Sequence, residues 1–197
     1  MTQMIFASTN RGKFEEFKRG LEGMAIELIF AGDLEESKRI EVEETGTTYE
    51  ENASLKAKAY AKALGMPAIA DDSGLEVACL GGKPGVYSAR MGSDDMERLH
   101  WLLSSMEGEE DRRAQFVCAI SVSVPKFSMT LTVTGKCSGK IIDVPRGKNG
   151  FGYDPVFVPD GYDKTFAELG SEVKEQISHR ANAIKKIKEA LINHQKD

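Results

Sequence analysis

Two adjacent aspartates, Asp71 and Asp72, stand between the short apolar run Pro67–Ala70 and the pair Ser73-Gly74. Neighbouring residues on an extended strand point to opposite faces, so the two carboxylates should not act as one pair. One serves the fold, and the other is presented at a strand end, where open α/β sheets place ligands. A carboxylate held there can bind Mg²⁺, which takes oxygen ligands and is readily shared with substrate phosphates. The same six residues, Ala70 to Leu75, also fit a plain strand followed by a polar turn.

Three further segments carry groups suited to a nucleotide. Ser8-Thr9-Asn10-Arg11-Gly12-Lys13 falls at a strand-to-helix junction, where free backbone N–H groups and the helix dipole attract anions. Ser8 adds a hydroxyl, Gly12 leaves space and Lys13 adds a point charge. The glycine spacing is not that of a Walker A loop, and an ordinary capped helix start has the same composition. Lys148-Asn149-Gly150-Phe151-Gly152-Tyr153-Asp154-Pro155 is a glycine-rich loop with two aromatics and an acid. Phe151 can stack on a base while Asp154 reads its edge; a tight turn with core aromatics is the other reading. Ser178-His179-Arg180, with Lys174 four residues before Ser178, puts two basic residues into a first helical turn, where cations oppose the dipole. Such a local conflict is expected where function overrides stability.

The elements that position these groups follow from periodicity. Gln3–Ala7 and Ala25–Phe30 read as strands, and between them Asn10 caps a helix whose apolar side is Phe14, Phe17, Leu21 and Met24. The charged segment from Glu35 to Gly46 reads as a surface loop. Thr48 and Glu51 form a capping box for a helix that runs to Leu64 and stops at Gly65. Its apolar stripe is Tyr49, Ala53, Ala57, Tyr60 and Leu64, with Lys56 inside the stripe and Asn52 at its edge. Short strands are expected over Pro67–Asp71 and Leu75–Leu80, a turn over Gly81–Gly85, and a helix over Asp94–Met106. Alternating runs Arg113–Val124 and Phe127–Cys137 form a hairpin around Pro125 and Lys126. A strand at Pro155–Val158 and helices over Phe166–Ile177 and His179–Asn193 complete a mixed sheet flanked by helices.

Bulk properties narrow the function classes. The 197 residues, 41% hydrophobic and 29% charged, suit one globular domain over residues 1–197. The net charge of −5, with no basic block, argues against a general nucleic-acid binder. Cys79, Cys118 and Cys137 are widely spaced and odd in number, which fits free thiols in a cytoplasmic protein rather than a disulfide framework or zinc site. No segment approaches the roughly 20 apolar residues that span a bilayer.

Taken in order, Ser8-x-Asn10-x-x-Lys13, Glu51-Asn52-Ala53 with Lys56, Asp71-Asp72-Ser73-Gly74-Leu75, Gly81-Gly82-x-Pro84-Gly85-x-Tyr87-Ser88-Ala89-Arg90, Gly150-Phe151-Gly152-Tyr153-Asp154-Pro155 and Ser178-His179-Arg180 closely resemble the inosine triphosphate pyrophosphatase (HAM1-like) family. The resemblance runs from about Ile5 to Leu191. It implies an α/β fold with an elongated mixed sheet and an active site in a cleft between two lobes. It also implies hydrolysis of deaminated purine nucleoside triphosphates (ITP, dITP, XTP) to monophosphate and pyrophosphate, with Mg²⁺ as cofactor and a homodimeric assembly. Carried over residue by residue, Ser8, Thr9, Asn10, Arg11, Gly12 and Lys13 bind phosphate with Lys56. Asp72 is the catalytic carboxylate and a metal contact, and Ser73 contacts substrate. Glu44, beside Glu43, is the second acidic metal position. Phe151, Gly152, Tyr153, Asp154, Lys174, His179 and Arg180 bind the nucleoside, with Lys174 and Arg180 donating to a 6-keto oxygen. Family loops often carry Gly-Thr-x-Gly ahead of Phe-Gly-Tyr-Asp, whereas Lys148 and Asn149 occupy the middle positions here. The similarly folded Maf pyrophosphatases lack both Phe-Gly-Tyr-Asp and Ser-His-Arg. A binding module that has lost catalysis would not need Asp72, Lys13 and the acidic loop together.

Overall fold

The computed structural model describes residues 1–194, so the last three residues of the domain expected over 1–197 lie outside the described residues. Among the described residues six strands form one mixed sheet in the order β2-β1-β3-β4-β5-β6. They are β1 (Thr2–Phe6), β2 (Ile26–Phe30), β3 (Ala68–Val77), β4 (Arg113–Val124), β5 (Phe127–Ile141) and β6 (Phe157–Pro159). β1 pairs in parallel with β2 and with β3, the latter through Ile5↔Ala68 and Phe6↔Ile69, and β6 runs antiparallel to β5. Five helices accompany them among the described residues: α1 (Arg11–Gly20), α2 (Tyr49–Leu64), α3 (Asp95–Ser105), α4 (Phe166–Ile177) and α5 (His179–His194).

The chain clusters into two compact units. Unit 1 comprises 1–72, 118–135 and 180–197, and unit 2 comprises 73–117 and 136–179. In unit 1, Phe14 and Phe17 of α1 pack with Met4, Phe6, Phe30, Ile69, Ile120 and Ile184. A second layer is alanine-rich, with Ala57 and Ala61 of α2 against Ile5, Ala7, Ala68 and Ala70. Such small side chains let α2 approach the strands closely. The core of unit 2 gathers Leu75, Val77, Leu102, Phe116, Phe157 and Phe166.

Caps fall where the side-chain chemistry asks for them. The Asn10 carboxamide accepts from Lys13 N, Thr48 and Glu51 form the expected capping box, and Gly65 ends α2 at φ +63°. Four expectations are corrected. No turn interrupts the aspartate segment: β3 is one strand of 10 residues that continues through Gly74 to Val77. Asp71 and Asp72 therefore sit in mid-strand rather than at a strand end. β4 is buried on both faces beyond Phe116, so its apolar alternation understates its burial. The segment from Glu35 to Gly46 includes a 3₁₀ turn at Glu36–Arg39, and α4 is broken at Gly170, whose φ of +78° only glycine adopts freely.

Candidate active site

β3 is buried on both faces, so each of its carboxylates needs partners of its own. The pleat sends Asp71 and Asp72 to different sets. Asp72 Oδ2 accepts from Asn52 Nδ2 at 3.1 Å, and its Oδ1 lies 3.7 Å from Lys56 Nζ. Lys56 in turn pairs with Glu44 Oε1 at 2.6 Å. The Asn52 side chain also accepts from Gly46 N at 2.8 Å. It thereby ties the loop that carries Glu44 to the first turn of α2. A side chain on Gly46 would run into Asn52 and Glu51, so this approach requires glycine. Burial pushes the Asp72 carboxyl up; Lys56 opposes that and Glu44 adds to it. Burial works against the charge of Lys56, yet the carboxylates of Asp72, Asp71 and Glu44 outweigh it and lift its pKa. Of the two neighbouring glutamates, Glu44 is the one in this group, while Glu43 is exposed.

Asp71 points to the other face. Lys13 Nζ lies 3.0 Å from its Oδ2 and 3.2 Å from its Oδ1, and Arg180 Nη2 donates to the same Oδ2 at 3.3 Å. The other terminal nitrogen of Arg180, Nη1, donates to Glu16, one turn beyond Lys13 on α1. Burial alone would raise the Asp71 carboxyl, but the charges of Lys13 and Arg180 hold it well below the usual carboxylate range. Arg180 was expected to donate to a purine 6-keto oxygen; here both terminal nitrogens donate to carboxylates of unit 1. Elsewhere in the first loop, Ser8 Oγ accepts from Asn10 N at 3.1 Å. Thr9 is exposed, and Arg11 pairs with Asp33 while lying 4.2 Å over the Phe30 ring.

Unit 2 builds a second constellation. Lys174 is buried, donates to Asp154 Oδ2 at 2.6 Å and lies 4.5 Å over the Phe151 ring. The same Asp154 oxygen accepts from Phe151 N at 3.0 Å. Gly150, at φ +79°, has no room for a Cβ against Asp154. Tyr153 donates its hydroxyl to Ser88 O, and Gly152 N donates to Asp95. These two residues hold the loop. Asn149, where the family loop often differs, donates from its side chain and its backbone to Ala167 O at the start of α4. His179 stacks on Phe116 at 4.7 Å and 14°, and Ser73 is half-buried on β3.

The Ham1 family model matches residues 4–190 of this chain. The chain belongs to the Ham1 family. Among curated relatives, the dITP/XTP pyrophosphatase of Synechocystis sp. is 46% identical over 187 residues, covering 95% of this chain and 94% of that one. The dITP/XTP pyrophosphatase of Bacillus subtilis is 46% identical over 196 residues, covering 97% and 98%. Among solved structures, the Staphylococcus aureus Ham1 protein superposes with a TM-score of 0.86 at 45% identity, over 98% of this chain and 100% of that one.

For a Ham1 protein the grouping is informative in two ways. Unit 1 holds the first loop, Glu44, Lys56, Asp72 and Arg180, whereas unit 2 holds Ser73, Phe151 to Asp154, Lys174 and His179. The charges in unit 1 also bear on a metal. Lys13, Lys56 and Arg180 are set against Glu16, Glu44, Asp71 and Asp72, one negative charge in excess. No group of three or more His, Cys, Asp or Glu side chains among the described residues could hold a metal alone. Glu44 and Asp72 are hard oxygen donors of the kind that hold Mg²⁺ jointly with phosphate oxygens, so the residues fit such a shared ion. Three pairings were not legible in the sequence: Asn52 with Asp72, Glu16 with Arg180, and Phe116 beneath His179. Only Asn52 carried a signal, a polar residue at the edge of an apolar helix stripe.

Proposed function

We propose that the protein is a dITP/XTP pyrophosphatase that hydrolyses deaminated purine nucleoside triphosphates between the α and β phosphates. The monophosphate and pyrophosphate are the products. The observation that carries this reading is Asp72. Its carboxylate is held by Asn52 at one oxygen and set between burial and Lys56. A carboxyl raised by burial is a stronger base than an ordinary aspartate and is suited to take a proton from water. Asp72 orients and deprotonates the attacking water. Lys56 and Lys13 offset the negative charge that gathers on the departing pyrophosphate, which is where phosphoryl-type transfer needs help. The N–H groups at the start of α1 receive phosphate oxygens. Mg²⁺, when held by Glu44 and Asp72 together with the phosphate chain, would supply further neutralisation of that charge.

Base recognition falls to unit 2. Phe151 provides the stacking face, and Lys174, fixed by Asp154, provides a donor for the 6-keto oxygen of hypoxanthine or xanthine. Adenine presents a 6-amino donor there, and a buried cation facing a donor is costly. His179, stacked on Phe116, is a further polar contact for the base. Free cysteines and the lack of any helix among the described residues long and apolar enough to cross a membrane suit work on a cytoplasmic nucleotide pool. A homodimer is the assembly we propose, checked by light scattering. The function itself is tested by pyrophosphate release with Mg²⁺ from dITP, XTP, dGTP, dATP and TTP side by side. Equal rates on dATP and dITP would remove the reading.

A further inference from the structure

We infer that Arg180 is a stand-in counter-ion: it keeps Asp71 neutralised when Lys13 leaves that carboxylate for a substrate phosphate. The inference rests on the proposed role of Lys13 at the triphosphate. Two cations share one oxygen of Asp71, Lys13 at 3.0 Å and Arg180 at 3.3 Å. They differ in access. The Lys13 side chain is 18% exposed, whereas Arg180 is 2% and Asp71 0% exposed. Only Lys13 can reach outward. With Lys13 as the one cation in direct contact, its departure would leave a buried carboxylate to the more distant charge of Lys56 and the thiol of Cys118, and a poorly compensated buried charge is strongly unfavourable. Lys13 would then stay at home, and phosphate binding would have to overcome that hold. Arg180 removes the conflict because its planar fork binds two carboxylates at once. Glu16 occupies Nη1 and holds the guanidinium fork with Nη2 toward Asp71. Arg180 is thus a positioning residue that acts through Asp71 on Lys13.

The test is calorimetric titration of inorganic pyrophosphate, with Mg²⁺, into the full-length protein. A base-free probe removes any contribution of nucleobase reading. Arg180→Gln leaves the Asp71 carboxylate to hold Lys13 and should weaken pyrophosphate binding roughly 10- to 100-fold, the range of a charge-assisted hydrogen bond. Asp71→Asn should bind as tightly as wild type or more tightly, since Lys13 is then released. The double variant Arg180→Gln/Asp71→Asn should return to within about threefold of Asp71→Asn, because the charge that trapped Lys13 is gone. A purely structural Arg180 would leave the double variant as weak as the single one, and that result overturns the inference. So does wild-type pyrophosphate affinity in Arg180→Gln, which would make Arg180 a base reader. Should Arg180→Gln not fold, Asp71→Asn decides: weakened binding there overturns the proposal, and unchanged or tighter binding supports it. Lys13→Ala separates the two levels. If it binds pyrophosphate like wild type, the phosphate-site reading fails before Arg180 is at issue.

Discussion

Asn52→Ala tests the site at the residue that joins its parts. Asn52 is 1% exposed, and its side chain accepts from Gly46 N at 2.8 Å and donates to Asp72 Oδ2 at 3.1 Å. A neutral bond contributes about 1 kcal/mol net and one to a charged group about 1.5–3 kcal/mol, so losing both should destabilise the fold by roughly 2.5–4 kcal/mol. The catalytic loss arises separately. Without Nδ2, Asp72 loses the amide donor on that oxygen and turns toward Lys56; without the Gly46 bond, the loop carrying Glu44 drifts. Misplacement by about 1 Å typically costs on the order of 10²-fold in rate, so kcat/KM on dITP should fall by that order while pyrophosphate affinity changes far less. Urea denaturation gives the first quantity, and a coupled pyrophosphate-release assay gives the second. Asn52→Asp is the sharper companion. It keeps an acceptor for Gly46 but puts a like charge against Asp72, so it should lose activity while retaining more of the stability. The reasoning fails if Asn52→Ala, folded by circular dichroism, turns over dITP at the wild-type kcat/KM.

Other changes follow from the same geometry. Asp72→Asn should keep the fold and nucleotide binding while losing on the order of 10²-fold or more in kcat, measured by single-turnover pyrophosphate release; wild-type turnover would dismiss it as the catalytic carboxylate. Lys13→Ala should raise KM and lower kcat together, because its charge acts in both ground and transition states, and an unchanged kcat/KM would reduce the first loop to a helix cap. Lys174→Met should narrow the dITP-to-dATP selectivity ratio roughly 10- to 100-fold, the worth of a charge-assisted hydrogen bond, and lower the Tm, since Asp154 then loses its buried cation; an unaltered ratio would remove Lys174 from base reading. Gly150→Ala should damage binding of dITP but not of pyrophosphate, because its side chain would collide with Asp154, and equal loss for both ligands would contradict the assignment of that loop to the base.

Much of the fold was legible because its signals are local. The Thr48–Glu51 box, the Asn10 cap and the Gly65 stop each depend on side chains within one helical turn. The β4 strand was bounded correctly by alternation alone. The error at β3 has a physical cause: Asp, Ser and Gly are turn formers when solvated, but here the carboxylates meet Lys13, Arg180, Lys56 and Asn52, and the strand continues. Tertiary charge partners overrode local propensity. The same reason hid Glu16, which lies 164 positions from Arg180 in the chain. It also hid the role of Asn149, whose anchoring at Ala167 O depends on where α4 begins. Patterns along a sequence indicate which residues share a face. They do not indicate which distant charge will meet them.

The pair Asp71-Asp72 shows how that distant charge assigns function. Both residues have the same side chain, on consecutive positions of one buried strand, so neither propensity nor composition separates them. The pleat separates them in space, and their partners separate them in acidity. Asp71 meets two cations and is held firmly ionised. Asp72 has one more distant cation, an amide donor and a neighbouring glutamate, and burial raises it. Opposed environments on a pair of carboxylates are a sound guide to their division of labour. A carboxylate locked by two charges holds structure and costs too much to protonate. One whose charge is only partly compensated can accept a proton or share a cation with an incoming phosphate. Exchanging the two environments should therefore exchange the roles, and no substitution at Asp71 alone can supply what Asp72 loses.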